Sequence, residues 1–187
     1  MNETKEKLLD CAFSLVQQRG VNAVSYQDLS DRIGIKKASI HYHFPKKEDL
    51  ILSLLDRCQN NYGAEYESIA NSKDKPKVKL ERIAQIYRLG VLENKLCVIA
   101  MLSSEKDSLE PETQNHLAQA IEETICIFEK IFIQAKREKG KQPRGPSKVL
   151  ARTFFHLLIG SQIMARSSNT LESFDSSIAF FLKTVFD

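Results

Sequence analysis

The sequence predicts an all-α protein of about nine helices, and three observations carry that expectation. Apolar residues recur at three- and four-residue spacing through most of the chain. No run alternates apolar and polar residues as a half-buried strand does, and no segment repeats. Gly, Pro and polar clusters divide the chain into stretches of helical length.

Each element follows from its own residues. From Asn2 to Arg19, Leu8, Leu9, Ala12, Phe13, Leu15 and Val16 form a stripe, with Asn2 as cap and Gly20 as stop signal. In "VSYQDLSDRIG", Ser25 is placed to cap a short second helix, and Asp28 makes an acidic variant of the capping box. Leu29 and Ile33 share its inner face before Gly34. A third brief helix, Lys37 to Phe44, puts Ile40 and Phe44 four apart and inward. Pro45 suits the first turn of a long fourth helix that carries Leu50, Leu54, Leu55 and Cys58 and reaches about Ile69.

The polar interruption "NSKDKPKVK" follows, and its residues 71 to 76 are the best internal boundary by composition. Leu80, Ile83, Ala84, Tyr87 and Val91 mark a fifth helix, and "LCVIAMLSSEKDSLEPE" a short apolar sixth closed by a loop. Pro111 starts a long seventh with a stripe of Leu117, Ile121, Ile125, Phe128 and Phe132. "KREKGKQPRGPSK", with six positive charges to one negative, reads as an exposed loop. Two last helices, roughly Ser147 to Arg166 and Leu171 to Phe186, carry large apolar residues on more than one face.

With 27% charged and 42% hydrophobic residues in 187, the composition is that of a globular protein. A net charge of only +3 demands no polyanionic partner, so any basic function must come from local clustering. The four cysteines lie far apart with no CxxC pair, which argues against a zinc site or a disulfide framework and for a reducing cytosol. His41 and His43 lack nearby carboxylate or thiolate partners, and His116 and His156 are isolated, so no metal and no cofactor is expected. The N-terminus is charged and amphipathic, and no apolar run reaches the roughly 18 residues of a membrane span. The expectation is a cytoplasmic protein without membrane contact.

Charge clusters in "IKKASIHYHFPKKEDL", Ile35 to Leu50. Three helices in under fifty residues, the second and third joined by a Gly-containing turn, have the proportions of a helix-turn-helix unit. In that geometry one helix lies in the major groove while basic residues and helix N-termini hold phosphates. Lys36, Lys37, Ala38 and Ser39 stand at the start of the third helix, with Tyr42 and His43 a turn further on. Lysine donates to guanine edges or phosphate, serine adapts, and alanine permits approach to a thymine methyl. The next helix start, with Lys46 and Lys47, suits phosphate clamping.

Over Lys7 to about Leu55 the sequence resembles the tetracycline-repressor (TetR) family of bacterial transcriptional regulators. "VNAVSYQDLSDRIGIKKASIHYHFPKKEDL" is similar to that family's motif almost throughout: short second helix, Gly turn, aromatic-rich third helix and Phe-Pro-x-Lys entry to the fourth. The resemblance implies phosphate contacts from Ser25, Tyr26, His41 and Lys47, base or mixed contacts from Lys37, Ala38, Ser39, Tyr42 and His43, and either role for Lys36. Two departures stand out: His41 where the family most often has tyrosine, and Lys36 where a capping Ser or Thr is frequent.

The resemblance further implies a DNA-binding domain over residues 1–46 and a helical effector-binding and dimerisation domain over 47–187, linked by the helix from about 46 to 69. The chain would then be a homodimer on palindromic double-stranded DNA, a repressor released by a small-molecule or electrophile effector, and not an enzyme. Tyr62, Tyr66, Tyr87, Met101, Phe128, Phe155 and His156 offer aromatic surface with polar tips for such an effector. Cys97 is a candidate reactive thiol, with Lys95 nearby to favour the thiolate, although such a cysteine is more often simply a small buried hydrophobe. Cys11, Cys58 and Cys126 read as structural. Two rivals are open: an enzyme with Cys97 as nucleophile, which no local histidine motif supports, and an interaction module using the basic loop on an acidic partner.

Overall fold

The computed structural model describes residues 3–138 and 142–186. Among them all regular structure is helical: α1 (Glu3–Arg19), α2 (Tyr26–Ile33), α3 (Lys37–His43), α4 (Lys47–Cys58), α5 (Ala64–Ala70), α6 (Pro76–Leu92), α7 (Val98–Ser104), α8 (Pro111–Arg137), α9 (Ser147–Ser168) and α10 (Glu172–Phe186). A π-helical turn, Gln59–Gly63, joins α4 to α5 in one unbroken helix, so these segments make nine helices. A short 3-10 turn, Lys106–Ser108, precedes α8. The Asn2 cap expected for α1 and residues 139–141 of the basic loop lie outside the described residues.

The ends of α3 and α4 differ from expectation. Phe44 is the C-cap of α3, and Pro45 precedes the N-cap of α4, Lys46, instead of entering its first turn. The Lys46 N–H donates to Asp49 Oδ2 at 2.8 Å, while a lysine side chain accepts nothing in return. The π-helical turn has its own local reason, since Asn60, Asn61 and Gly63 are poor helix formers and relax the register between two well-packed segments.

The chain forms two compact units. The first comprises the described residues up to Asn60 together with Cys97–Ala120. Its α1 packs against α2, α4 and α7. The α1 stripe is buried as the spacing predicts, and Leu29, Ile40, Phe44, Leu50, Leu54, Val98, Ile99 and Leu102 are buried with it. Each such side chain contributes on the order of 1.5–3 kcal/mol. Arg57 of α4 ties α1 by bonding Glu6 Oε2 at 3.0 Å and the Asp10 carboxylate.

The second unit comprises Asn61–Leu96 and the described residues from Ile121. Here α6 packs against α5, α9 and α10, and α9 against α10. Leu80, Ile83, Phe128, Phe132, Phe154, Phe155 and Phe174 are buried. Lys79 is only 1% exposed, and its ammonium is held by Ala70 O at 2.7 Å and Gln134 Oε1 at 2.6 Å. The first of these carbonyls ends α5, where a cation opposes the helix dipole. Arg88 grips Asp175 with two bonds, 2.8 and 3.1 Å.

Candidate nucleic-acid interface

The candidate reading head is built from α2, α3 and the start of α4. Ser25 caps α2 as expected: Asp28 N–H donates to Ser25 Oγ at 3.2 Å, and Ser25 N–H donates to Asp28 Oδ2 at 2.8 Å. The Ser25 hydroxyl also donates to that carboxylate. These bonds, the hydroxyl first, hold the Asp28 carboxyl below its usual range. At the far end Gly34 adopts φ 77°, a left-handed conformation that only glycine takes cheaply. Ser30 Oγ then donates to Ile35 O at 2.6 Å and closes the turn into α3.

On α3 only Ile40 is buried. Lys36, Lys37, Ala38, Ser39, His41 and Tyr42 are exposed and His43 is half-buried. Tyr42 is 80% exposed, and among the described residues its ring makes an edge contact with His43 at 5.1 Å. The N-cap Lys36 makes no side-chain capping bond. The outer face is thus unencumbered, with two lysines at its N-terminal end and an aromatic ring beyond them. Inside, Phe44 is buried beneath the Lys5 ammonium, 5.5 Å from the ring centre.

Tyr26 has a role that sequence spacing did not reveal. Its hydroxyl lies 2.8 Å from both Phe44 O and Lys46 O, which ties α2 to the α3–α4 junction. Burial, and then the charge of Asp49, push its ionisation up to about 12. A phosphate accepts hydrogen bonds and donates none at full ionisation, so Tyr26 reaches a phosphate only by releasing these carbonyls. The same holds for the Ser25 hydroxyl, which is committed to Asp28. His41 sits against Tyr26 with ring centres 4.8 Å apart, its Nδ1 3.4 Å from Pro45 O.

Lys47, the first residue of α4, is half-buried. Burial pulls its proton affinity down, while the carboxylates of Glu105, Glu48 and Asp28 push it back up. All three carboxylates are fixed by bonds, Asp28 by the Ser25 cap and the other two by distant partners. Glu105 Oε2 accepts from Val21 N–H at 2.8 Å and Asn22 N–H at 2.9 Å. Glu48 accepts from Glu110 N–H at 2.9 Å and Thr113 Oγ1 at 2.6 Å. Neither partnership has a short-range signal, because the bonded residues stand more than sixty positions apart.

The residues expected to meet an effector divide between the units. Tyr66, Tyr87, Phe128 and Phe155 are buried in the second unit. Tyr66 stacks on Tyr87 at 6.3 Å and meets Phe128 edge-on at 5.4 Å, and Phe155 meets Phe128 at 6.0 Å. Tyr62 borders the cluster, 6.4 Å from Tyr66. Sequence reading missed Phe154, 5.7 Å from Phe128, and Gln162, which donates to Tyr87 O at 2.9 Å. His156 lies on an exposed face of α9 and is not brought into the cluster.

Cys97 and Met101 belong to the first unit, at the N-cap and within α7, and both are half-buried. Cys58 is buried, and desolvation with added repulsion from Cys97 pushes its thiol far up, which makes it a poor nucleophile. Burial also raises the Cys11 thiol, partly opposed by Arg32. Cys126 is exposed on α8, so the structural role expected for it does not hold.

Comparison with known proteins bears on this head directly. Residues 8–54 match the family described as bacterial regulatory proteins, tetR family. The chain is similar to the biofilm operon icaADBC negative transcriptional regulator IcaR of Staphylococcus epidermidis, 29% identical over 116 residues, which is 62% of each chain. It thus spans less than two thirds of that regulator's length. It is similar over 99% of its length to 98% of a TetR transcriptional regulator from Legionella pneumophila, with 29% identity and a TM-score of 0.89. The fold is shared with AibR, solved in complex with isovaleryl coenzyme A and operator DNA, at 17% identity, a TM-score of 0.73 and 98% coverage of both chains.

Proposed function

From the premise that the chain belongs to the tetR family of bacterial regulatory proteins, we propose that it is a sequence-specific DNA-binding transcriptional repressor. It acts in the cytoplasm as a homodimer on a palindromic operator, and a small-molecule or electrophile effector releases it. The observation that carries this reading is the outer face of α3, where every side chain from Lys36 to Ser39, with His41 and Tyr42, is exposed while Ile40 alone is buried. Residues 1–46 would bind DNA and 47–187 would bind effector and partner, with α4 and α5 as the shared lever. Lys37, Ala38, Ser39, Tyr42 and His43 would make base or mixed contacts, Lys47 and His41 would meet phosphates, and Lys36 would serve either purpose. Ser25 and Tyr26 would contribute mainly by holding α2 and the α3–α4 junction.

Exposed apolar side chains on the last two helices support dimerisation: Val149, Ile163 and Met164 on α9 and Phe180 on α10. A two-fold pair would set two reading helices about 34 Å apart, one turn of DNA. That AibR binds both a coenzyme A ester and operator DNA supports an effector-coupled reading. The effector must favour the geometry that does not bind DNA, because equal affinity for both states shifts nothing.

Genomic selection tests the reading. The chain is expected to retain palindromic fragments with affinity that falls steeply as salt rises; recovery of no preferred fragment would sink it. Lys47→Ala is expected to weaken operator and random duplex by the same factor, and unchanged binding removes Lys47 from the interface. A thermal-shift screen of ligands and thiol-reactive compounds on wild type and Cys97→Ser separates the two effector classes, since only the electrophile route loses its shift in the variant.

A further inference from the structure

We propose that Glu105 is a positioning residue for DNA binding, one that holds the α1–α2 turn and, through it, the start of α2 and the α3–α4 junction. This rests on the reading of the chain as a DNA-binding regulator. Glu105 is the C-cap of α7, remote in sequence from the reading head, yet one of its oxygens accepts two successive N–H groups, Val21 at 2.8 Å and Asn22 at 2.9 Å. Two converging amides on a carboxylate form an anion nest, and charge-assisted bonds of this kind exceed neutral ones in strength. The Asn22 side chain adds a bond to Ser108 Oγ at 3.1 Å.

Gly20 makes room for this clasp. It adopts φ +85°, and a Cβ there would stand 2.2 Å from the other Glu105 oxygen. The residue that stops α1 therefore serves both the backbone turn and the carboxylate. From the clasp a short chain of bonds leads onward: Val24 N–H to Val21 O at 3.2 Å, then the Ser25 cap, then the Tyr26 hydroxyl to Phe44 O and Lys46 O. Glu48 gives the same distant segment a second hold, on the first turn of α4. The stretch from Glu105 to Thr113 thus grips the head at two points.

The Glu105 charge also acts on Lys47, which on charge alone suggests a contrary role: masking a phosphate-binding cation. The two roles have opposite consequences. If Glu105 positions, its removal weakens operator binding; if it masks, its removal strengthens it.

The test uses the full chain as wild type, Glu105→Ala, Glu105→Asp and Glu105→Gln. Affinities are measured for a selected operator and a random duplex, and amide exchange at Val21 and Asn22 is followed without DNA. Alanine is expected to speed exchange at both amides and weaken operator binding about tenfold, roughly the worth of one charge-assisted hydrogen bond. Random-duplex binding should stay within about twofold, since the phosphate cations are intact. Aspartate keeps the charge but not the reach and should behave like alanine; it also serves if the alanine variant does not fold. Glutamine retains an acceptor oxygen and should recover most of the loss. Unchanged exchange, unchanged or tighter operator binding in the alanine and aspartate variants, or equal loss on both duplexes overturns the proposal. A wild type that selects no duplex strikes the functional reading instead, and is seen in its own arm.

Discussion

The Tyr26 hydroxyl has one proton and two carbonyls within reach, so its contribution is lost when that proton leaves. An unfolded tyrosine ionises near about pH 10, whereas folded Tyr26 ionises at about 12. The folded pKa is raised, so the stability tied to this group is whole below about pH 10 and disappears as pH climbs toward about 12. Tyr26→Phe is expected to flatten that alkaline loss and to remove one tyrosinate step, at a pH of about 12, from an absorbance titration. The cap next to it follows simpler arithmetic. Ser25→Ala leaves the first turn of α2 without its acceptor and should lower stability by about 1 kcal/mol in a urea melt. Both residues act on the geometry of α2 and the α3–α4 junction, and under the proposed function would affect DNA only through it.

At the scale of the element, α3 is the test case. Seven residues are too few to hold a helix alone, since isolated helices need on the order of 12–15. Its order comes from the buried Ile40 and from the bonds at its two ends. Ile40→Ala should lower stability by about 2–5 kcal/mol in denaturant melts, whereas Lys37→Ala should stay within about 0.5 kcal/mol. This contrast also explains what could be read from the chain. The α2 capping box, the Gly34 turn, the inward Ile40 and the nine-helix plan all depend on partners three or four residues away, and periodicity reports such partners. The π-helical turn was invisible because Asn60, Asn61 and Gly63 lie inside an apolar rhythm that continues on both sides. Glu105 was invisible because its partners, Val21 and Asn22, are over eighty positions away. His156 and Cys126 looked like candidates for the interior, yet each falls on an exposed face of its helix. A stripe two residues wide cannot tell which flank is covered.

For the whole molecule, the proposed assembly depends on α9 and α10. Phe180 is 73% exposed, a large apolar side chain left to water unless a second copy covers it. Phe180→Asp and Met164→Asp are expected to shift sedimentation toward the monomer and to weaken operator binding, because one reading head cannot hold both half-sites. The first compact unit has a different implication. It includes Cys97–Ala120 as well as the N-terminal residues, and α7 lays buried Val98, Ile99 and Leu102 into the unit that contains α1 and α4. A transplant that moved only the segment before residue 61 onto another regulator's body would uncover that apolar surface and strand the Val21 and Asn22 amides. The portable module is therefore discontinuous in the gene, and a working graft has to carry two separate stretches of code.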